Sequence, residues 1–349
     1  MEFDPTQIRL SPNFLLSDFL GNHTVYSRGL PNTLEYDDPE LPLKLVNARA
    51  LCESILEPLL AQAGPMSISY GYIRPTTSDQ IVAYQDPRKP SHHQFNLGAA
   101  ADICIHEWTN HDPDDDTTAT APITLAHEMH DSGYPYSRLI TYSESPYLCV
   151  AASAAEIAGS APRLAFYENK YCGIAKEKPQ YKSLATESAK ARNKAMIADM
   201  GLAHGWRGSG YPTYHGGGRR QYHHIRVSKY TMLSDWLFDL QSIANGYKNI
   251  PKLNDPETMN ALRRAGEAYD YLIKAFEVNR LSIISGYLSE TNPTYEDGRS
   301  WKLQAPVFRV SVPENTNVNL IVDVINNLNN GPIAFIDDLG GGVIEVEVR

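Results

Sequence analysis

Leu16-Ser17-Asp18-Phe19-Leu20 returns 217 residues later as Leu233-Ser234-Asp235-Trp236-Leu237, and this repetition decides how the chain is organised. Self-similarity at a fixed offset outranks any single motif, because it says that one structural unit is written twice. Two further matches hold the register. Asp38-Pro39-Glu40 returns as Asp255-Pro256-Glu257, and Ser67-Ile68 with Gly71-Tyr72 returns as Ser282-Ile283 with Gly286-Tyr287. In both copies Asp-Pro-Glu predicts a helix start, with Asp38 or Asp255 as N-cap, proline at the first helical position and glutamate where the helix dipole favours an acid. Leu45, Leu51, Ile55 and Leu59 then recur at helical spacing in the first copy, as do Leu262, Ala265, Tyr269, Leu272 and Phe276 in the second.

Each helix feeds a short strand, Met66 to Tyr70 or Leu281 to Ser285. Beyond it the first copy reads as a strand at Ala101 to Ile105, a helix at Ile123 to Asp131, and a hairpin of Arg138 to Tyr142 with Tyr147 to Ala151. The second reads as Val307 to Val312, Val318 to Leu328, Ile333 to Ile336 and Val343 to Val348. The expected fold class is α+β, with each copy a small antiparallel sheet packed with helices. Residues 1–154 and 226–349 form the two units, and 155–225 a connector: an Ala/Lys-rich helix from Tyr181 to Leu202, then a surface loop dense in Gly, Tyr, Arg and His from His204 to His224.

The composition, 42% hydrophobic and 21% charged over 349 residues, is that of a globular protein of about two domains. The start, Met1 to Pro5, has no signal-peptide pattern, and no apolar run reaches the ~18 residues of a membrane span. Neither a membrane nor a nucleic acid is an expected partner. The formal charge of −10 divides into −12 over 1–154, +6 over 155–225 and −4 over 226–349. The basic connector, with Arg219-Arg220, reads as a docking surface for an acidic partner, either the first unit or a neighbouring chain. Four cysteines, Cys52, Cys104, Cys149 and Cys172, are too few for a disulfide framework and contain no CxxC pair.

Ser91-His92-His93-Gln94-Phe95-Asn96-Leu97-Gly98-Ala99-Ala100-Ala101-Asp102 is the candidate site. It resembles the Ser-x-His-x-x-Gly-x-Ala-x-Asp signature of the zinc D-alanyl-D-alanine carboxypeptidases and phage L-alanyl-D-glutamate endolysins, the LAS group with the Hedgehog/DD-peptidase fold. Ser69-Tyr70-Gly71-Tyr72-Ile73-Arg74-Pro75 is similar to that family's Ser-Gly-Tyr-Arg strand end, and the likeness covers residues ~10 to 152. The resemblance implies two tandem Hedgehog/DD-peptidase-like domains, with a zinc in the first held by His93, Asp102 and Cys149. It also implies Glu144 as general base and Arg74 on a substrate carboxylate. Three protein ligands leave a fourth position at which zinc activates water.

This sequence departs from the family in three ways. His93 and Asp102 are nine apart instead of seven, an insertion that preserves strand parity. Cys149 stands where the family has its second histidine, and a thiolate donates more charge, making zinc a poorer Lewis acid. Glu144 is followed by Ser145-Pro146, with Tyr142 nearer the family's alignment. Other ligand sets are Asp102, Cys104 and His106 along one strand face, and His127 with His130 on a helix; the acidic run Asp112 to Asp116 lacks the glycine and distal acid of an EF-hand loop, and Gly216 to Gly218 has no phosphate-loop context. All eleven histidines lie at or before His224, and the second copy has about Arg309 and Glu345 where the first has Asp102 and Cys149. The expectation is a phage virion structural protein of tail, baseplate or neck, built from a peptidase-like fold that has lost part or all of its zinc site, made in the host cytoplasm, with other virion proteins or its own copies as partners. The rival is a zinc peptidase acting on peptidoglycan stem peptides.

Overall fold

The computed structural model describes residues 4–75, 92–105, 121–141, 148–159, 165–168, 213–216, 219–251, 255–289, 306–314, 316–328 and 331–349. Among these the strands, in chain order, are β1 (Arg9–Ser11), β2 (Phe14–Leu15), β3 (Met66–Tyr70), β4 (Ala99–Ile105), β5 (Arg138–Thr141), β6 (Leu148–Ala152) and β7 (Ala165–Glu168), then β8 (Thr213–Gly216), β9 (Arg219–Ile225), β10 (Ser282–Ser285), β11 (Val307–Ser311), β12 (Ile333–Gly340) and β13 (Val343–Val348). The architecture is α+β, small sheets packed with helices. One sheet has the order β3-β4-β6-β5-β7 and the other β10-β11-β13-β12, so four successive strands are arranged alike in both. All neighbours are antiparallel except β7, which lies parallel to β5 and brings part of the 155–225 segment into the first sheet.

The expected helix of the second half runs over Pro256–Ala275, with Asp255 accepting from the backbone of Glu257 and Thr258. In the first half the helix begins later, at Leu41. There the carboxylate of Asp38 is taken up by the Lys44 ammonium and by Glu40 N–H at 2.8 Å, so a turn precedes the helix instead of a cap starting it. That helix continues through a π-helical turn, Cys52–Leu56, into Glu57–Ala63. The loop expected over 204–224 is in part a hairpin, with β8 and β9 paired antiparallel. The helix expected from Tyr181 to Leu202 lies outside the described residues.

A matched set of polar contacts surrounds each Leu-Ser-Asp turn. Asp18 accepts from Leu15 N–H at 2.7 Å and Asp235 from Met232 N–H at 2.8 Å, closing each turn on itself. Asn32 donates to the carbonyls of Leu20 and Tyr72 and accepts from Arg74 N–H; Asn249 donates to those of Leu237 and Tyr287 and accepts from Ser289 N–H. Tyr72 N–H reaches Phe19 O at 2.7 Å and Tyr287 N–H reaches Trp236 O at 2.6 Å. The glycine before each tyrosine permits this approach, since a Cβ on Gly71 or Gly286 would strike the backbone of Phe19 or Trp236. Buried asparagines that pair with several backbone groups discharge otherwise costly polar atoms.

The same aspartates also cross between the halves. Asp18 accepts from Ser282 Oγ at 2.8 Å and from Arg280 Nη1 at 2.9 Å, while Asp235 accepts from Ser67 Oγ. Asn32 N–H donates to Ile243 O, and Asn249 N–H to Tyr26 O. Residue i of one half meets residue j of the other and j meets i, which is the contact logic of a two-fold interface. One hydrophobic core, including Phe19, Leu59, Ile103, Trp236, Leu262 and Val346, runs through both halves.

Arg280 and Asp18 are both buried, so truncating the arginine strands a carboxylate in the core. Arg280→Ala is expected to lower the unfolding free energy by about 3–5 kcal/mol in urea titrations, as breaking a buried pair does. Gly71→Ala and Gly286→Ala should each lower the melting temperature, because the added Cβ has to push the backbone of Phe19 or Trp236 aside.

Candidate metal centre

His93 sits on a short 3-10 turn, His92–Gln94, that leads into β4. Phe95 takes a left-handed conformation, φ 65°, and buries its ring against Phe19 and Tyr72. Gly98, φ 147°, passes so close to Ala152 O and the His92 ring that a side chain has no room. Asn47, on the first long helix, holds this turn down by donating to Phe95 O at 2.8 Å while accepting from Ala154 N–H at 3.1 Å. Ile73 N–H then binds His93 O at 2.7 Å, tying the turn to the end of β3.

The imidazole is oriented as metal ligands usually are. Its Nδ1 lies 2.7 Å from the carbonyl oxygen of Gly71, which can only accept, so Nδ1 carries the proton and Nε2 presents its lone pair. Facing that lone pair are Asp102 Oδ1 at 3.8 Å and Cys149 Sγ at 4.0 Å. Asp102 and Cys149 are direct cross-strand partners on β4 and β6, and Tyr70 is the partner of Asp102 on β3. One ligand atom from each of His93, Asp102 and Cys149 lies within 4.8 Å of the others. His93 lies on the turn before β4, so the Phe95–Gly98 turn, and not strand alternation, brings it to Asp102.

Electrostatically the site asks for a cation. Burial pushes the Asp102 carboxyl above its ordinary range, partly opposed by His93 and by a hydrogen bond with Cys149, and among the described residues the buried Asp102 Oδ1 has no hydrogen-bond partner. Burial also raises the Tyr70 phenol, helped by Asp102 and Cys149, and its ring stands edge-on to His93 at 4.7 Å. His92 is pushed down to about 4 by burial and then by Arg138 and His93, so it stays neutral at physiological pH. An imidazole, a carboxylate and a thiol with a stranded acceptor atom form a donor set that zinc accepts.

The other sequence candidates are placed differently. Arg74 is paired with Glu35, and its backbone N–H is bound by Asn32. Glu144 lies outside the described residues, as do Tyr142, His106 and the run from Asp112 to Asp116. Cys104 packs on Met232, and His130 bonds the Tyr136 hydroxyl, so among the described residues neither joins a metal-ligand group. In the second half Arg309 and Glu345 are cross-strand partners, as Asp102 and Cys149 are in the first, and Arg309 Nε binds Glu345 Oε2 at 2.7 Å. An ion pair occupies the position of the donor set. Sequence reasoning missed Tyr70 and Gly71 O as neighbours of the site, Asn47 as the clamp and Glu35 as the partner of Arg74. The returning Gly71-Tyr72 pair was the one available signal.

No protein-family model, curated protein or solved structure matches this chain.

If the donor set binds zinc, calorimetry should find one site in the first half, lost in His93→Ala and Cys149→Ser and untouched in Arg309→Ala. Zinc at a hundredfold excess over its dissociation constant should add about 2.7 kcal/mol of stability. Binding should weaken as pH falls, because the carboxylate and thiol must shed protons to ligate.

Proposed function

We propose that this protein is a phage virion structural component, of tail, baseplate or neck, built from a Hedgehog/DD-peptidase-like fold present twice. In this reading the first copy keeps a zinc site at His93, Asp102 and Cys149, and the second has exchanged it for the Arg309–Glu345 ion pair. The protein is made in the host cytoplasm and joins other virion proteins or its own copies. The observation that carries the reading is that substitution: the cross-strand position that holds Asp102 and Cys149 in one unit holds an Arg309–Glu345 ion pair in the other, while both units share one core. The engagement of Arg74 by Glu35 supports it further, because an arginine already paired to a carboxylate is poorly placed to hold a substrate's.

A second reading is favoured by the donor geometry. His93, Asp102 and Cys149 would hold a zinc by three ligands, and such a zinc would supply Lewis-acid activation of water near neutral pH. On that reading the first unit is a peptidase of peptidoglycan stem peptides, with Arg74 released from Glu35 to bind the terminal carboxylate and Glu144 as base.

Zinc analysis together with a muropeptide-release assay separates the two. The structural reading expects bound zinc without released peptides, unchanged by Glu35→Gln, which frees Arg74. Peptide release that is stoichiometric with zinc and abolished by His93→Ala overturns it in favour of the enzyme.

A further inference from the structure

A polar cavity of about 30 Å³ lies where the two Leu-Ser-Asp turns meet, lined by Ser17, Asp18, Ser67, Ser234, Asp235 and Arg280 among others. About 10–15 Å³ of such volume holds one water-sized guest, so the cavity has room for one or two. Two features mark it as a site. Ser17 Oγ and Ser234 Oγ, counterparts in the repeat, are both buried and, among the described residues, without hydrogen-bond partners although both line the cavity. The two carboxylates are compensated unequally: Asp18 holds the Arg280 guanidinium, whereas no cation hydrogen-bonds or pairs with Asp235 among the described residues. The position corresponding to Arg280 in the first half is Pro65, which brings no charge.

We infer that the cavity binds a small monovalent cation, with the hydroxyls of Ser17 and Ser234 and the carboxylate of Asp235 as its oxygen ligands. The charges of Asp18, Asp235 and Arg280 sum to a single negative charge, which one monovalent ion neutralises. A calcium ion, needing about six to eight oxygens, is over-demanding for this lining. An isolated buried carboxylate is costly, so the ion stabilises the junction between the halves. A proton competes for the same charge. Asp235 is pushed up to about 6, chiefly by burial, with Asp18 raising it and Ser67, Met232 N–H and Arg280 lowering it. Tyr26 and Tyr269 also feel this carboxylate but are themselves raised by burial, and Cys104 is raised to about 12, so none of the three supplies or removes a proton near neutrality.

The test uses the full chain at fixed zinc, melting it in sodium or lithium chloride and in tetramethylammonium chloride of equal ionic strength. Above the Asp235 pKa, at about pH 8, the small cations should raise the melting temperature by about 2 °C or more over tetramethylammonium. At about pH 5, where the proton occupies Asp235, the difference should vanish. Asp235→Asn should abolish it and Ser234→Ala reduce it, while Glu314→Gln, at an exposed ion pair elsewhere, should leave it intact. Broadening of the ²³Na resonance by wild type but not by Asp235→Asn gives a readout independent of unfolding. Equal melting in all three salts, or a cation effect that survives both cavity variants, overturns the site and leaves water and a proton as its only occupants.

Discussion

Two aspartates, each closing its own turn and each reaching into the opposite half, are the constraint on which the rest of the structure hangs. Asp18 and Asp235 satisfy the N–H that starts a turn and a serine hydroxyl that starts the other half's first sheet strand. A carboxylate accepts several hydrogen bonds, so one side chain can fix local conformation and long-range docking together. Neither half can shift against the other without unpairing two buried carboxylates and two hydroxyls at once. The penalty for such unpairing, about 1–3 kcal/mol for each buried polar group, makes the junction cooperative and not merely adhesive.

The group of His93, Asp102 and Cys149 inherits its rigidity from that junction. Ser67 lies on β3, the strand that ends in Tyr70 and passes at once to Gly71, whose carbonyl sets the tautomer of His93. Fixing Ser67 on Asp235 and Tyr72 on Phe19 holds both ends of this stretch, and His93 is attached to it through two hydrogen bonds. Asp102 and Cys149 come from neighbouring strands of the same sheet, so all three donors belong to one hydrogen-bonded lattice. A site supported in this way keeps its donors together without metal, which lowers the ordering cost of binding. The second half has the same strands and the same junction but bears Arg309 and Glu345, and its outward charges need no guest.

Much of this was legible in the residues, for definable reasons. Period-two apolar strands and a strongly amphipathic second helix placed most elements within a residue or two, and Met66–Tyr70, Val318–Leu328 and Val343–Val348 as read. His93, Asp102 and Cys149 were identifiable only through the resemblance of Ser91 to Asp102 to a zinc-peptidase signature, and they do lie together. The late start of the first long helix was not, because Lys44 competes for Asp38 from six residues away. Nor was the hairpin of β8 and β9, whose glycines and histidines hide any strand alternation. The pairing of Arg74 with Glu35 and the crossing of the aspartates depend on which half faces which, and local pattern carries no information on that.

The inequality of the two aspartates shows how a nearly symmetric junction acquires a direction. The repeat supplies matching carboxylates, serines and asparagines, so symmetry alone would place two like charges close together in the core. Arg280 pairs with Asp18, and Pro65 at the matching position brings no such partner to Asp235. The burden falls on Asp235, whose proton affinity rises in response. A symmetric remedy, with an arginine on each side, would set two guanidinium groups against a cavity of about 30 Å³, which cannot hold them. A single fixed cation with one small exchangeable partner satisfies both the charge and the volume, and it makes the junction responsive to its solvent.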